Sequence, residues 1–335
     1  MELRDWIAYP HQVDAKVAEW QTRFPQYLEV DLMVQYTRHK VYALTVTDRR
    51  LPAAPKRKHL CFVPHAHEPA GTVACMNFIS QLLTGKHLDG CPSTLMREAI
   101  LARTLLVFIP DGNPYGRARS PEPFWEGKHF DNTEFMRLVF GIDTLYWETF
   151  KRVARWSVKE DPPAYLGIVY EPINEYEYVE PNRGDEAASL VKLVRQLQER
   201  YTFDQVLNLH QTEFEGYVEG ENCFAMLPAL QSELPPEQQA HNLEWAQGLT
   251  DAWTRIGGHP APVRGGGLPG GAIHSQSPVI PWSDLQRRSP MLTIEIQNNS
   301  PLTLHEKQLL LMEIAISHSI ERLMGSESFS TRSGS

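Results

Sequence analysis

Four side chains have the types that metal-assisted hydrolysis uses: His65, Glu68, His210 and Glu295. The first two lie in VPHAHEPAGTVA, residues 63–74, directly after the apolar run His59 to Pro64. Two imidazoles and one carboxylate, with a coordination position left open for water, suit zinc, a borderline-soft ion that takes nitrogen and oxygen donors. The H-x-x-E spacing lets a chain turning out of a strand bring both side chains to one point, although the four-residue pattern alone also describes an ordinary polar strand end. His67 would share a side with His65 if the strand continued through them, but Pro64 favours a turn. We therefore expect a pocket residue there, with replacement of a ligand as the alternative.

These residues must be positioned by something. Apolar β-branched runs alternate with stretches of helical period, which is the pattern of an α/β protein. A helix is expected at 11–24, then a hairpin from YLEVDLMVQY and VYALTVTD. Strands are expected at His59 to Pro64, Leu105 to Pro110, Val206 to Leu209, Cys223 to Leu227 and Met291 to Ile296, with helices at 71–84, 93–102, 184–200, 236–257 and 303–324. Leu190, Val191, Val194 and Leu197 form the i, i+3, i+4, i+7 stripe of a helix lying on a sheet. Strands separated by helices imply a central mixed, mainly parallel sheet covered on both faces. Ligands of such sheets bind beyond the carboxyl ends of strands. His65 and Glu68 follow one such end, His210 ends another, and Glu295 lies near a third.

The bulk numbers exclude several classes. With 42% hydrophobic and 22% charged residues the chain has an ordinary globular composition. A formal charge of −9 argues against nucleic acid as the main partner, since phosphate binding needs a clustered basic face. The basic stretch RRLPAAPKRK reads as a solvated loop. No apolar run approaches the ~20 residues of a membrane span and MELRDWIAYP lacks a leader's apolar region, so a cytoplasmic location is expected. Cys61, Cys75, Cys91 and Cys223 are scattered without a C-x-x-C pair, which indicates neither a thiolate zinc site nor a disulfide framework. No linker divides the chain, so one catalytic domain is expected over 1–325, followed by a polar tail at 326–335.

In order along the chain, "HAHE", "IPDGNPYGRARS", "LNLHQ" and "MLTIEIQNNS" resemble the carboxypeptidase A-like zinc metallocarboxypeptidases. That resemblance implies one zinc ion held by His65, Glu68 and His210, with Glu295 as general base. It also implies an arginine after PDG that polarises the scissile carbonyl. Arg117 and Arg119 are both in place, and Arg119 is preferred because the family's arginine lies further from PDG. Family members usually carry D-x-N-R-N-F, whose aspartate orients the first zinc histidine while its asparagine and arginine hold a terminal carboxylate. Only fragments of it occur here: FDNTEF, which offers Asn132, GIDTLYW, and EPNRGD, which keeps Asn182 and Arg183. Arg183 is either a substrate contact or the residue that precedes a helix at Gly184. The glycine-rich stretch from Val263 to Asp284 lacks the family's loop tyrosine and offers His274 instead. Aromatics between Phe135 and Pro181 form either a substrate wall or a satellite core.

The expected activity is zinc-dependent hydrolysis of a peptide or peptide-like amide bond, with a peptide or acyl-amino-acid substrate. Two alternatives stand beside it. One is a deacylase of acyl amino acids resembling the aspartoacylase and succinylglutamate desuccinylase group. The other is an inactive zinc-containing fold that binds peptides.

Overall fold

The computed structural model describes residues 5–126, 131–141, 154–162, 165–212, 220–265 and 280–330. From the amino end come α1 (Pro10–Arg23), the hairpin β1 (Leu28–Val34) and β2 (Lys40–Val46), then β3 (Arg57–Phe62), α2 (Pro69–Thr84), α3 (Arg97–Arg103) and β4 (Thr104–Ile109). The middle holds the short α4 (Pro114–Ala118), α5 (Asn132–Phe140), and the strands β5 (Arg155–Ser157), β6 (Glu171–Pro172) and β7 (Glu177–Val179). A 3-10 turn at Pro181–Arg183 leads to α6 (Ser189–Arg200) and β8 (Gln205–Thr212). The chain continues with β9 (Cys223–Met226), α7 (Pro236–Arg255), α8 (Ser283–Arg288), β10 (Met291–Gln297) and α9 (His305–Ser330).

One sheet runs in the order β1-β2-β4-β3-β8-β10-β9. Its four central strands, β4, β3, β8 and β10, are parallel, and β1, β2 and β9 complete the flanks in antiparallel register. The parallel strands put their carboxyl ends along one edge. Crossover helices cover the two faces, as a buried parallel sheet requires. The apolar face with Leu207, Leu209, Leu292 and Ile294 packs with α1, α2, α7 and α9, and the opposite face with Leu60, Phe62, Val206 and Met291 packs under α6.

Local sequence explains these choices. In α6, Leu190, Val191, Leu193, Val194 and Leu197 are all buried. At about 1.5–3 kcal/mol for each large apolar side chain removed from water, that stripe fixes the helix to the sheet. Helix α2 is buried on every side from Pro69 to Leu83, as an all-round apolar helix must be. Pro69 opens it, where a missing N–H costs nothing, and Gly85 closes it at φ 74°.

Two expectations are corrected. The helix expected from residue 184 begins at Ser189, because Gly184 takes φ 76° and ends a separate 3-10 turn. The stretch 135–181, in which no strand was expected, contains a second sheet ordered β5-β7-β6. These strands are only two or three residues long, too short for a period-2 signal. Phe135, Val139, Phe140, Ile168, Val169 and Tyr170 form a satellite core with Ala66 and Trp125. The expected tail from 326 falls partly within α9, which continues to Ser330, and partly outside the described residues.

Candidate metal centre

β-Strand parity brings the first elements of the site together. On β8, Leu207 and Leu209 face the α2 and α9 core, so Val206, Asn208 and His210 face the other way. On β10, Leu292, Ile294 and Ile296 likewise leave Met291, Thr293 and Glu295 on that opposite side. His210 and Glu295 are register partners of adjacent parallel strands. The α6 face therefore starts apolar, with Val206 and Met291, and becomes polar towards the carboxyl edge, where Asn208 Nδ2 donates to Thr293 Oγ1 at 3.5 Å.

β3 supplies the remaining donors. After Phe62 the chain leaves the sheet, and Glu68 caps the start of α2. Its side chain makes no cap hydrogen bond to that helix and turns to the two imidazoles instead. His65, Glu68 and His210 each place a ligand atom within 4.8 Å of the others, and all three are buried. Both imidazoles turn Nδ1 towards the same oxygen, Glu68 Oε1: His65 at 2.8 Å and His210 at 3.0 Å. Glu68 Oε2 is also buried and has no hydrogen-bond partner among the described residues. Burial by itself would raise the Glu68 carboxyl, but His210 and His65 hold it well below the ordinary carboxylate range. This donor set, with nitrogen and oxygen atoms converging in a buried space, fits a divalent ion of the zinc type.

A shell of buried polar residues fixes these donors. His65 Nε2 lies 3.0 Å from Glu180 Oε1, and Glu180 is fully buried. The other oxygen of Glu180 pairs with Arg183 Nε at 3.2 Å. A carboxylate on the far nitrogen of a ligating histidine sets its tautomer and ring orientation. Ala70 N, in the first turn of α2, donates to Gln211 Oε1 at 2.9 Å, and Gln211 Nε2 donates to Gln308 Oε1 at 2.8 Å. Gln308 Nε2 in turn donates to the carbonyls of Trp125 and Thr303. This chain of amides ties α2, β8 and α9 together directly behind the His65, Glu68 and His210 cluster.

The PDG turn packs against the same segment. A Cβ on Gly112 would lie 2.6 Å from the Val63 carbonyl oxygen, so only glycine permits that approach. Arg117 is buried, with Nη1 donating to Ala66 O at 3.0 Å, Nη2 donating to Glu122 O, and its guanidinium 5.1 Å from the Tyr9 ring centre. Arg119 is half-buried, lies over Tyr115, and donates to the carbonyls of Leu166 and Gly167. Burial pushes the Asp111 carboxyl up to about 7 against the opposing pull of Arg117. The His67 ring stacks on His65 at 5.1 Å and meets Phe140 at 5.5 Å, while its Nε2 lies 3.8 Å from Glu68 Oε1. It belongs to the wall of the cluster, between His65 and the satellite core.

Beside Arg183, Asn182 Oδ1 accepts from Trp282 Nε1 at 2.6 Å. Trp282 takes φ 60° and ψ 23°, a left-handed conformation that costs a bulky residue about 1–3 kcal/mol. Its ring meets Phe62, the last residue of β3, edge to face at 4.9 Å. Asn132 opens α5, and only its backbone is described; His274 lies outside the described residues.

Glu180, which the sequence reading did not single out, is the buried carboxylate that the structure places against His65 and Arg183. The signal was present: E-P-N-R has the spacing of D-x-N-R with one additional methylene in the acid. Gln211 and Gln308 carried no comparable signal, since their roles exist only through contacts between distant elements.

No family model and no curated protein sequence matches the chain. Solved structures do. The carboxypeptidase A of Helicoverpa armigera aligns at a TM-score of 0.60 with 13% identity, over 96% of this chain and 74% of that one. Bovine thrombin-activatable fibrinolysis inhibitor aligns at 0.59 with 12% identity, over 97% of this chain and 100% of the other. A metallo-carboxypeptidase of Burkholderia cenocepacia aligns at 0.57 with 14% identity, over 95% of this chain and 69% of that one. The chain therefore has a metallocarboxypeptidase-like fold. Its sequence is only 12–14% identical to these structures, and its described residues include a His–Glu–His cluster able to hold a metal ion.

Proposed function

We propose that this protein is a zinc-dependent hydrolase of peptide or peptide-like amide bonds, acting on substrates that end in a free carboxylate. The observation that carries this reading is the convergence of His65, Glu68 and His210, with Glu180 behind His65 and Glu295 in register with His210. A bound zinc ion would supply a Lewis acid and lower the pKa of water towards ~7. The remaining work belongs to the chain. Glu295, 8% exposed, takes a proton from the attacking water and returns it to the leaving amine. Glu180 keeps the far nitrogen of His65 as a donor and so leaves Nδ1 available for the metal.

Arg119 is the candidate for stabilising the negative charge that develops on the carbonyl oxygen, because it is the less buried arginine of the pair. Both arginines donate to carbonyls, Arg119 to those of Leu166 and Gly167, but Arg117 is fully enclosed and through the Ala66 carbonyl braces the loop that carries His65 and Glu68. Arg183 and Asn182 lie one step beyond Glu180 and have the donor chemistry for a carboxylate. This arrangement favours a small anionic terminus over an internal peptide segment. Asn132 and His274 remain candidate substrate contacts from the other two stretches.

The test is a mass-spectrometric screen of the zinc-loaded protein against peptides with free and amidated ends, together with acyl amino acids, beside His210→Ala. Cleavage next to a free terminal carboxylate that is lost in His210→Ala supports the proposal. Turnover of acyl amino acids alone selects the deacylase alternative. Stoichiometric zinc with no turnover of any substrate selects the inactive one.

A further inference from the structure

We infer that Trp282 is a positioning residue that sets the polarity of the substrate-terminus pocket by locking the side-chain amide of Asn182. This rests on the proposed role of Asn182 and Arg183 in holding a carboxylate. The indole Nε1 can only donate, so the atom it meets at 2.6 Å must be the amide oxygen of Asn182. An asparagine without such a partner can turn either end of its amide to a ligand, and its oxygen would repel a carboxylate. With Oδ1 already engaged, the two N–H donors of Nδ2 are the part of Asn182 left for a ligand, beside the guanidinium of Arg183.

Three observations show that the indole is held for this contact. Trp282 keeps a left-handed backbone conformation that few bulky residues adopt. The residue is only 9% exposed and its ring packs edge to face on Phe62, which fixes the direction of Nε1. Phe62 ends the strand that leads to His65, so the pocket residue and the metal loop share one rigid support. The neighbouring ion pair also matters. Arg183 uses Nε on Glu180, and Glu180 uses its second oxygen on His65. Trp282, Asn182, Arg183, Glu180 and His65 thus form one line of contacts between the pocket and the ligands.

The experiment uses zinc-loaded protein carrying Glu295→Gln, so that ligands bind without being consumed. Calorimetry compares a blocked dipeptide having a free terminal carboxylate with the same dipeptide as its amide. Trp282→Phe keeps the ring and removes the donor. It should weaken the free acid about three- to tenfold, the worth of one lost hydrogen bond, and leave the amide and the zinc content unchanged. A second readout is the indole N–H resonance of Trp282 in 15N-labelled protein, which should move upfield and exchange faster in Asn182→Ala.

Equal loss for acid and amide, or an indole signal indifferent to Asn182→Ala, overturns the inference. If the parent protein fails to prefer the acid, the carboxylate reading of the pocket falls, and the orientation of Asn182 is then decided by the indole signal alone.

Discussion

Glu180 gives the sharpest prediction. Its carboxylate has no exposure and meets His65 Nε2 at 3.0 Å and Arg183 Nε at 3.2 Å. Replacement by alanine removes the acceptor that fixes His65 and leaves a largely buried guanidinium without this counter-charge. Loss of such an outer partner costs roughly 10- to 100-fold in metal affinity, or about 1.4–2.7 kcal/mol. Glu180→Gln keeps an oxygen of similar reach for His65 but loses the charge, so it should fall near the tenfold end and Glu180→Ala near the hundredfold end. Competition against a zinc-chelating dye at fixed pH measures the affinity. Urea unfolding of the metal-free forms separates a weakened site from a weakened fold. Zinc affinity within twofold of the parent in both variants, with the fold intact, would refute the claim that Glu180 orients a metal ligand.

Four further outcomes are expected. Glu295→Gln should lower kcat by about 10²- to 10⁴-fold while retaining stoichiometric zinc, which metal analysis beside steady-state kinetics will check. Arg117→Ala leaves the buried carbonyl of Ala66 and the partly buried one of Glu122 without this donor, so denaturant titration should record a loss of about 1–3 kcal/mol. Arg119→Ala should lower kcat and cost about 1 kcal/mol from its part-buried bonds to the Leu166 and Gly167 carbonyls, as steady-state assays and denaturant titration of the folded variant will show. His59 is fully buried and burial lowers its pKa to about 3. The unfolded chain therefore binds one more proton below about pH 6.5, and stability from this residue is lost as pH falls from there, by up to about 1.4 kcal/mol per pH unit. Asp111, Glu171 and Glu313, each raised by burial to about 7, act in the opposite sense over part of that range. The comparison is thus between parent and His59→Leu: unfolding free energies at pH 7.5 and 5.0 should depend less on acid in the variant.

Parity and period were legible in the sequence wherever an element was long. The stripe of α6 and the apolar run of β4 determine their own faces, since an apolar side chain gains the same free energy from burial whatever covers it. The same alternation encodes the polar end of the α6 face. Val206, Asn208 and His210 against Leu207 and Leu209 could be read before any fold was known. Short elements were not legible. β5, β6 and β7 are made by pairing with one another, and two or three residues hold too little pattern to declare a strand.

The sequence by itself determined which residues could bind a metal, because donor chemistry belongs to side chains and H-x-x-E fixes a local turn. It also determined an α/β sheet with those residues at strand ends. Only the tertiary structure decided the partners. It set Glu180 on His65, gave Arg117 to the Ala66 carbonyl rather than to the cluster, and joined Trp282 to Asn182, residues separated by 100 positions. Such contacts depend on the directions in which distant backbones cross, and no local pattern of residue types carries that information.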